Sequence, residues 1–260
     1  MDHGTVKRLI PGLMRVLVAA VCMIGCCHLS VYAQENVTTV GVQIKPMITS
    51  KYFGTGTENF EEGDLRIGFE PNLGWNFGMV IRRGFTKNWS FETGICFVQR
   101  NYTMSFEYPE LKEAKRMKFR YIGYEIPLQG LVFVKLSDQL FMNASAGVSI
   151  DLYPSNIETS DFEYIDTLRF DFYQKTYKNN WVQTSILANY GFEYRTRNDG
   201  YFYAGISYHR PFSHIGITRI NMERNTVPNR AEVLLGGNYL TADFRYFFHE
   251  KPERAKPKEK

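Results

Sequence analysis

Leu140-Phe141-Met142-Asn143-Ala144-Ser145-Ala146-Gly147-Val148-Ser149-Ile150 alternates without a break. Leu140, Met142, Ala144, Ala146, Val148 and Ile150 are apolar, and most of the residues between them are small or polar. Successive side chains of a strand point to opposite faces, so this stretch is a strand with two chemically distinct sides. The same period runs through seven other segments. Before it come Val40, Val42, Ile44; Trp75, Phe77, Met79, Ile81; Trp89, Phe91, Ile95, Phe97; and Ile122, Tyr124, Ile126, Leu128, Val132, Val134. After it come Val182, Ile186, Ala188, Tyr190, Phe192, Tyr194; Phe202, Ala204, Ile206, Tyr208; and Leu240, Ala242, Phe244, Tyr246, Phe248. Helical periodicity is almost absent.

The connections alternate in length. Gly84-Phe85-Thr86-Lys87-Asn88, Ser137-Asp138-Gln139 and Arg197-Asn198-Asp199-Gly200 are short and have turn chemistry. Thr49 to Gly74, Met104 to Phe119, Tyr153 to Asn180 and Arg210 to Ala231 are long. An even number of strands with all long links at one end is the pattern of an outer-membrane barrel. The expected fold is all-β: an eight-stranded antiparallel up-and-down transmembrane β-barrel with short periplasmic turns and long extracellular loops.

The face opposite the apolar set separates this reading from a soluble barrel or sandwich. It carries Gly41, Gly78, Gly94, Gly123, Gly147, Gly191 and Gly205. Glycine weakens a solvated strand, whereas it suits the crowded lumen of a small barrel. The same face carries Lys45, Arg82, Arg100, Lys135, Arg195 and Arg245 with Glu92, Glu125, Asp151, Glu193 and Asp243. These charges are expected to pair into a polar plug, with Phe133, Tyr201 and Tyr203 also inward. Trp75, Trp89, Tyr194, Tyr208, Tyr246 and Phe248 fall toward strand ends, where an interfacial aromatic girdle belongs.

Composition agrees. The 260 residues are 15% aromatic and carry a net charge of +4, too small an excess for a nucleic-acid binder. Mean hydropathy is −0.31, and no apolar run reaches the ~18 residues of a spanning helix. Strands that alternate average out as polar and escape that test.

The N-terminus is a targeting segment. Lys7, Arg8 and Arg15 precede the apolar stretch Val16 to Cys27, and Val31-Tyr32-Ala33 presents small residues to a signal peptidase. Residues 1–33 are expected to leave as a signal peptide, 34–248 to form the barrel and 249–260 to make a charged, disordered tail with Pro252 and Pro257. Met23-Ile24-Gly25-Cys26 offers the alternative of lipidation at Cys26. Cys96 is then the one cysteine of the mature chain, a small core-filling residue that rules out an internal disulfide.

Gly74-Trp75-Asn76-Phe77-Gly78-Met79-Val80-Ile81-Arg82, Trp89-Ser90-Phe91-Glu92-Thr93-Gly94 and Tyr121-Ile122-Gly123-Tyr124-Glu125-Ile126-Pro127-Leu128 resemble strands of the PorT-type outer-membrane β-barrel domain family. The resemblance implies a small barrel of a Gram-negative outer membrane. PorT itself is linked to a protein-secretion apparatus. The tail from His249 to Lys260 departs from barrels of this kind, which commonly end on an aromatic residue.

No catalytic, cofactor or metal residues emerge. Ser207, His209, Ser213 and His214 cluster in sequence, but neither histidine immediately precedes a serine as in outer-membrane lipid A deacylases. No zinc spacing and no phosphate loop occur. The first and third long loops are acidic (Glu58, Glu61, Glu62, Asp64; Glu158, Asp161, Glu163, Asp166, Asp171). The second and fourth are basic (Lys112, Lys115, Arg116, Lys118, Arg120; Arg210, Arg219, Arg224, Arg230). Phe162, Tyr164, Phe170, Phe172 and Tyr173 interleave with the acids of the third, and Asp166-Thr167-Leu168 is like an O-glycosylation site. The expected protein is a non-enzymatic outer-membrane barrel with a filled lumen and a structural or interaction role. A narrow porin-like channel and a lipid-modifying enzyme are the alternatives. Expected partners are outer-membrane lipid and lipopolysaccharide, the barrel-insertion machinery, and a protein or glycan at the long loops, with no nucleic acid.

Overall fold

The computed structural model describes residues 37–48, 58–62, 65–86, 88–108, 113–165, 168–196, 200–224 and 227–248. The signal segment, the cleavage point at Gln34, the tail from His249, and Asp166 and Thr167 lie outside the described residues. Thirteen strands are present among the described residues. Eight of them make a ring: β1 (Thr38–Ile48), β3 (Leu65–Gly84), β4 (Trp89–Tyr108), β5 (Glu113–Lys135), β6 (Leu140–Leu152), β9 (Val182–Arg195), β10 (Tyr201–Pro211) and β13 (Tyr239–Phe247). Each pairs antiparallel with its neighbour in this order, and β1 pairs with both β3 and β13, which closes the sheet. β2 (Glu58–Glu62) adds a short hairpin partner to the outer end of β3. The ladder skips two residue pairs beside Pro46 and again beside Pro127, where proline has no N–H to donate.

The alternation read from the sequence sets the facing throughout. Every apolar residue counted in the eight segments points outward and is exposed or half-exposed. Met79, Ile95, Ile206 and Phe244 are all just over half exposed in the isolated chain, an arrangement that water would not tolerate and lipid requires. The seven glycines face inward. A Cβ on Gly205 would strike the Tyr203 hydroxyl and the backbone carbonyl of Tyr190, so the strands approach to a distance only glycine allows.

The long links differ from the expected loops. Strands β3, β4 and β5 continue past the apolar belt, and β4 and β5 are joined across residues 109–112 alone. The other two links fold into β7 (Ile157–Ile165), β8 (Leu168–Lys178), β11 (Gly216–Arg224) and β12 (Val227–Leu235), a four-stranded sheet ordered β12-β11-β8-β7. This sheet faces the extensions of β3 to β5 across a core of Ile67, Phe69, Tyr102, Met104, Phe106, Met117, Phe119, Tyr121, Tyr153, Phe172, Ile215, Ile220, Val233 and Leu235. Phe106 and Phe172 meet across it with ring centroids 5.2 Å apart.

The reason these strands read as loops is that their polarity inverts. Along β5, Ile122, Tyr124, Ile126 and Leu128 point outward while Glu125 and Gln129 point in. Just above, the outward residues are Arg116, Lys118 and Arg120, and the inward ones are Met117, Phe119 and Tyr121. Below the crossing the exterior solvent is hydrocarbon; above it, water. In β3 the switch needs an extra residue, because the register against β4 slips between Asn72 and Trp75. Gly74 occupies that bulge, where a Cβ would stand 2.6 Å from both the Gln99 carbonyl oxygen and Met47 Sδ.

Salt bridges stitch the cap on its outside. Lys115 Nζ lies 3.1 Å from Asp161, and this ammonium, together with the Phe162 N–H, holds the Asp161 carboxyl below the usual carboxylate range. The tether is therefore complete at neutral pH and is lost only as the pH falls through that lowered value.

Ala146, in the middle of β6, is exposed on the apolar belt. Ala146→Arg should reduce barrel stability by about 2–4 kcal/mol and block assembly. Thr159, a loop residue by sequence, belongs to β7 and is half-buried, so the matched control is exposed Ser160. Ser160→Arg should insert like wild type in heat-modifiable gel migration. Phe172→Ala should open the cap at a cost of about 3–5 kcal/mol, seen as new protease cleavage in β7–β8 with the barrel intact.

Candidate functional site

The lumen holds the densest chemistry. Its turn-end layer is a buried ion network built by β3, β4, β9 and β13. Arg82 pairs with Glu92 at 3.0 Å and also with Glu193. Glu193 receives Arg195 at 2.7 Å, and Arg245 joins Glu92 to Asp243, the latter at 2.8 Å. Lys45 lies 3.7 Å from Asp243, which also accepts hydrogen bonds from Ser207 (2.5 Å), Thr241 (2.6 Å) and Asn189 (3.1 Å). Arg82 lies over the Phe247 ring at 3.9 Å and Arg195 over Phe141 at 4.0 Å. These rings and ion pairs fill the lumen at the turn end. Removing two charges from water is costly, and mutual pairing with full hydrogen bonding is what offsets that cost.

Lys135 departs from the expected plug. It sits at the rim and pairs with exposed Asp138 of the adjacent turn at 2.9 Å. That leaves Lys45, Arg82, Arg100, Arg195 and Arg245 in the lumen against Glu92, Glu125, Asp151, Glu193 and Asp243, an even balance.

Glu125 and Arg100 were expected to contact the other charges directly, and they do not. Glu125 pairs in register with Cys96, four residues from both Glu92 and Arg100 along β4, or roughly 13 Å of strand. It belongs instead to a second cluster near the cap. His209 Nε2 lies 3.0 Å from Asp151 and 3.6 Å from Glu125, and Tyr239 donates its hydroxyl proton to Glu125. Ser149 donates to Asp151 at 2.8 Å, and Ser185 donates to the other oxygen. The Tyr239 ring stacks on the His209 imidazole at 4.3 Å, and the Arg100 guanidinium lies 5.0 Å from the Tyr239 ring. Cys96 fills space as expected, buried with Met47, Val98 and Tyr239.

Glu125, Asp151 and His209 offer three ligand atoms within 4.8 Å of one another, a combination that chain spacing conceals. They come from β5, β6 and β10, far apart in sequence. The available signal was parity, since His209 follows Tyr201, Tyr203 and Ser207 on the inward face of β10. Of the residues clustered with it in sequence, Ser207 bonds to Asp243 instead, and Ser213 and His214 are exposed between β10 and β11. No hydrolytic constellation forms from these four. The cluster itself is fully buried beneath Tyr121, Tyr153 and the cap core, and its chemistry is to tie five barrel strands together through one carboxylate–imidazole knot.

Residues 36–215 match the family described as outer membrane protein beta-barrel domain. The chain belongs to this family. Its place is the cell outer membrane, and the exposed apolar belt is its lipid-facing surface. No curated protein matches the chain. Among solved structures, it is similar to the outer membrane protein OprG from Pseudomonas aeruginosa, with 9% identity, 84% of this chain and 99% of that chain covered, and a TM-score of 0.47. It is also similar to the outer membrane protease OmpT from Escherichia coli, with 9% identity, 85% and 99% coverage, and a TM-score of 0.28.

Glu193 is completely buried between Arg82 and Arg195. Glu193→Ala removes one carboxylate from each of these cations and should lower the stability of the outer-membrane barrel by about 3–5 kcal/mol in urea unfolding, with insertion retained.

Proposed function

We propose that this outer-membrane barrel conducts nothing and catalyses nothing, and that it serves as a structural or interaction protein displaying a rigid β cap. The observation that carries the reading is the continuous filling of its axis. Paired charges and aromatic rings occupy the turn end, the Glu125–Asp151–His209 knot occupies the upper lumen, and fourteen buried residues of the cap core lie above it. An eight-stranded barrel is only wide enough for side chains to fill, which leaves no space for an aqueous path. The cap is then the surface that another molecule meets, in adhesion, partner binding or a secretion-associated assembly. The Tyr121–Leu128 strand supports a PorT-type affiliation within the family. The absence of activity is inferred from enclosure: His209 is fully buried, so a lipid substrate has no route to it.

Planar-bilayer recording tests the reading. Purified full-length protein should give no channel events. Conductance steps of nanosiemens size would replace this proposal with a porin, and release of acyl chains from lipid A would replace it with an enzyme.

A further inference from the structure

Arg116, Lys118 and Arg120 stand on the outward face of β5, spaced two residues apart and all exposed. In a strand that spacing stacks them about 7 Å apart in a single file. Ile122, the next outward residue, belongs to the lipid-facing belt. With strands tilted by about 40°, Arg120 lies roughly 5 Å above Ile122, and each further cation about 5 Å higher. That is headgroup depth.

None of the three has an ion-pair, hydrogen-bond or ring partner among the described residues. Their register neighbours on β4 are Ser105, Thr103 and Asn101, which carry no charge. The nearest outward carboxylate is Glu107, two residues beyond Ser105 on β4. It stands in register with Ala114 of β5 on one side and Arg66 of β3 on the other. Glu70, opposite Thr103, is two strands away. Elsewhere on the cap, three described cations are matched: Lys115 with Asp161 at 3.1 Å, Lys175 with Glu158 at 3.2 Å and Arg219 with Glu232 at 2.6 Å. On its other side β5 has no hydrogen-bonded strand partner at this height among the described residues, because β6 pairs with it only as far as Tyr124 and Leu152. There β7 approaches through the Lys115–Asp161 pair.

We infer that Arg116, Lys118 and Arg120 dock the phosphate groups of an outer-leaflet glycolipid whose acyl chains lie against Ile122, Tyr124 and Phe97 below. The chemistry required is amphiphilic, an anion directly above a hydrocarbon wall, and only a membrane lipid supplies both at that spacing. Arginine forks match phosphate bidentately, and a basic file at a membrane surface gains attraction from each charge. The inference rests on the membrane placement above, with the cap directed outward.

The test uses full-length protein in detergent micelles titrated with bisphosphorylated lipid A, dephosphorylated lipid A and inorganic phosphate. Wild type should bind the bisphosphorylated lipid, and Arg116→Ala/Lys118→Ala/Arg120→Ala should weaken that binding about a hundredfold. Arg116→Lys/Arg120→Lys, which keeps the charge, should stay within about tenfold of wild type. Dephosphorylated lipid A should bind wild type as weakly as the phosphorylated lipid binds the triple alanine variant, and excess inorganic phosphate should not displace the lipid. Equal binding by wild type and the alanine variant, or equal binding of the two lipids, overturns the inference. Displacement by inorganic phosphate also overturns it, since the site would then serve a free anion. Because the three side chains are exposed, heat-modifiable migration should survive in every variant. Its loss in wild type would count against the barrel placement itself, which keeps the two failures apart.

Discussion

Hydrocarbon cannot accept or donate a hydrogen bond, and every strand that crosses it must therefore be paired on both sides. In this chain the requirement falls on β1, which meets β3 along Thr38–Pro46 and β13 along Gly41–Ile48. That double pairing turns a meander into a ring. Closure with eight strands then fixes the bore, and the bore dictates which residues can stand inside it. Glycines sit where strands and rings approach most closely, with Phe247 against Gly41 and Tyr203 against Gly191 and Gly205. Five cations share the interior with five carboxylates, and because water does not reach them they pair, except that Arg100 is held over the Tyr153 and Tyr239 rings.

The second consequence is an inversion of polarity along single strands. β4 keeps its even residues inward from end to end, yet those residues change from Glu92 and Arg100 to Tyr102, Met104 and Phe106. The outward residues change in the opposite sense, from Ile95 and Phe97 to Gln99 and Asn101. A buried interior is polar where the surroundings are apolar and apolar where they are aqueous. The bulge at Gly74 lets β3 follow the same rule after its parity has slipped. The membrane boundary is thus written into the strands, and the cap above it is an ordinary water-soluble β-sandwich core continuous with the barrel wall. This continuity seats the cap over the lumen.

The sequence by itself determined the number of barrel strands, their order, their facing and a nearly balanced charge of the interior, which became even only when the fold carried Lys135 to the rim. A period of two read against a single apolar set needs no knowledge of partners: Ala146 must face lipid if Val148 does. It also predicted that Glu92 and Glu193 would find arginines, because a narrow tube leaves them no alternative. Tertiary structure decided the rest. Which charges meet depends on register, and register placed Glu125 opposite Cys96 and beside His209 instead of against the arginines. The knot of Glu125, Asp151 and His209 spans residues up to 84 positions apart, a proximity produced only by closing the sheet. The long links concealed their strands because the apolar set changes sides at the membrane surface, and one-sided counting cannot follow it across. The burial of Phe106 against Phe172 exists only once two sheets face each other, since neither strand alone states what covers it.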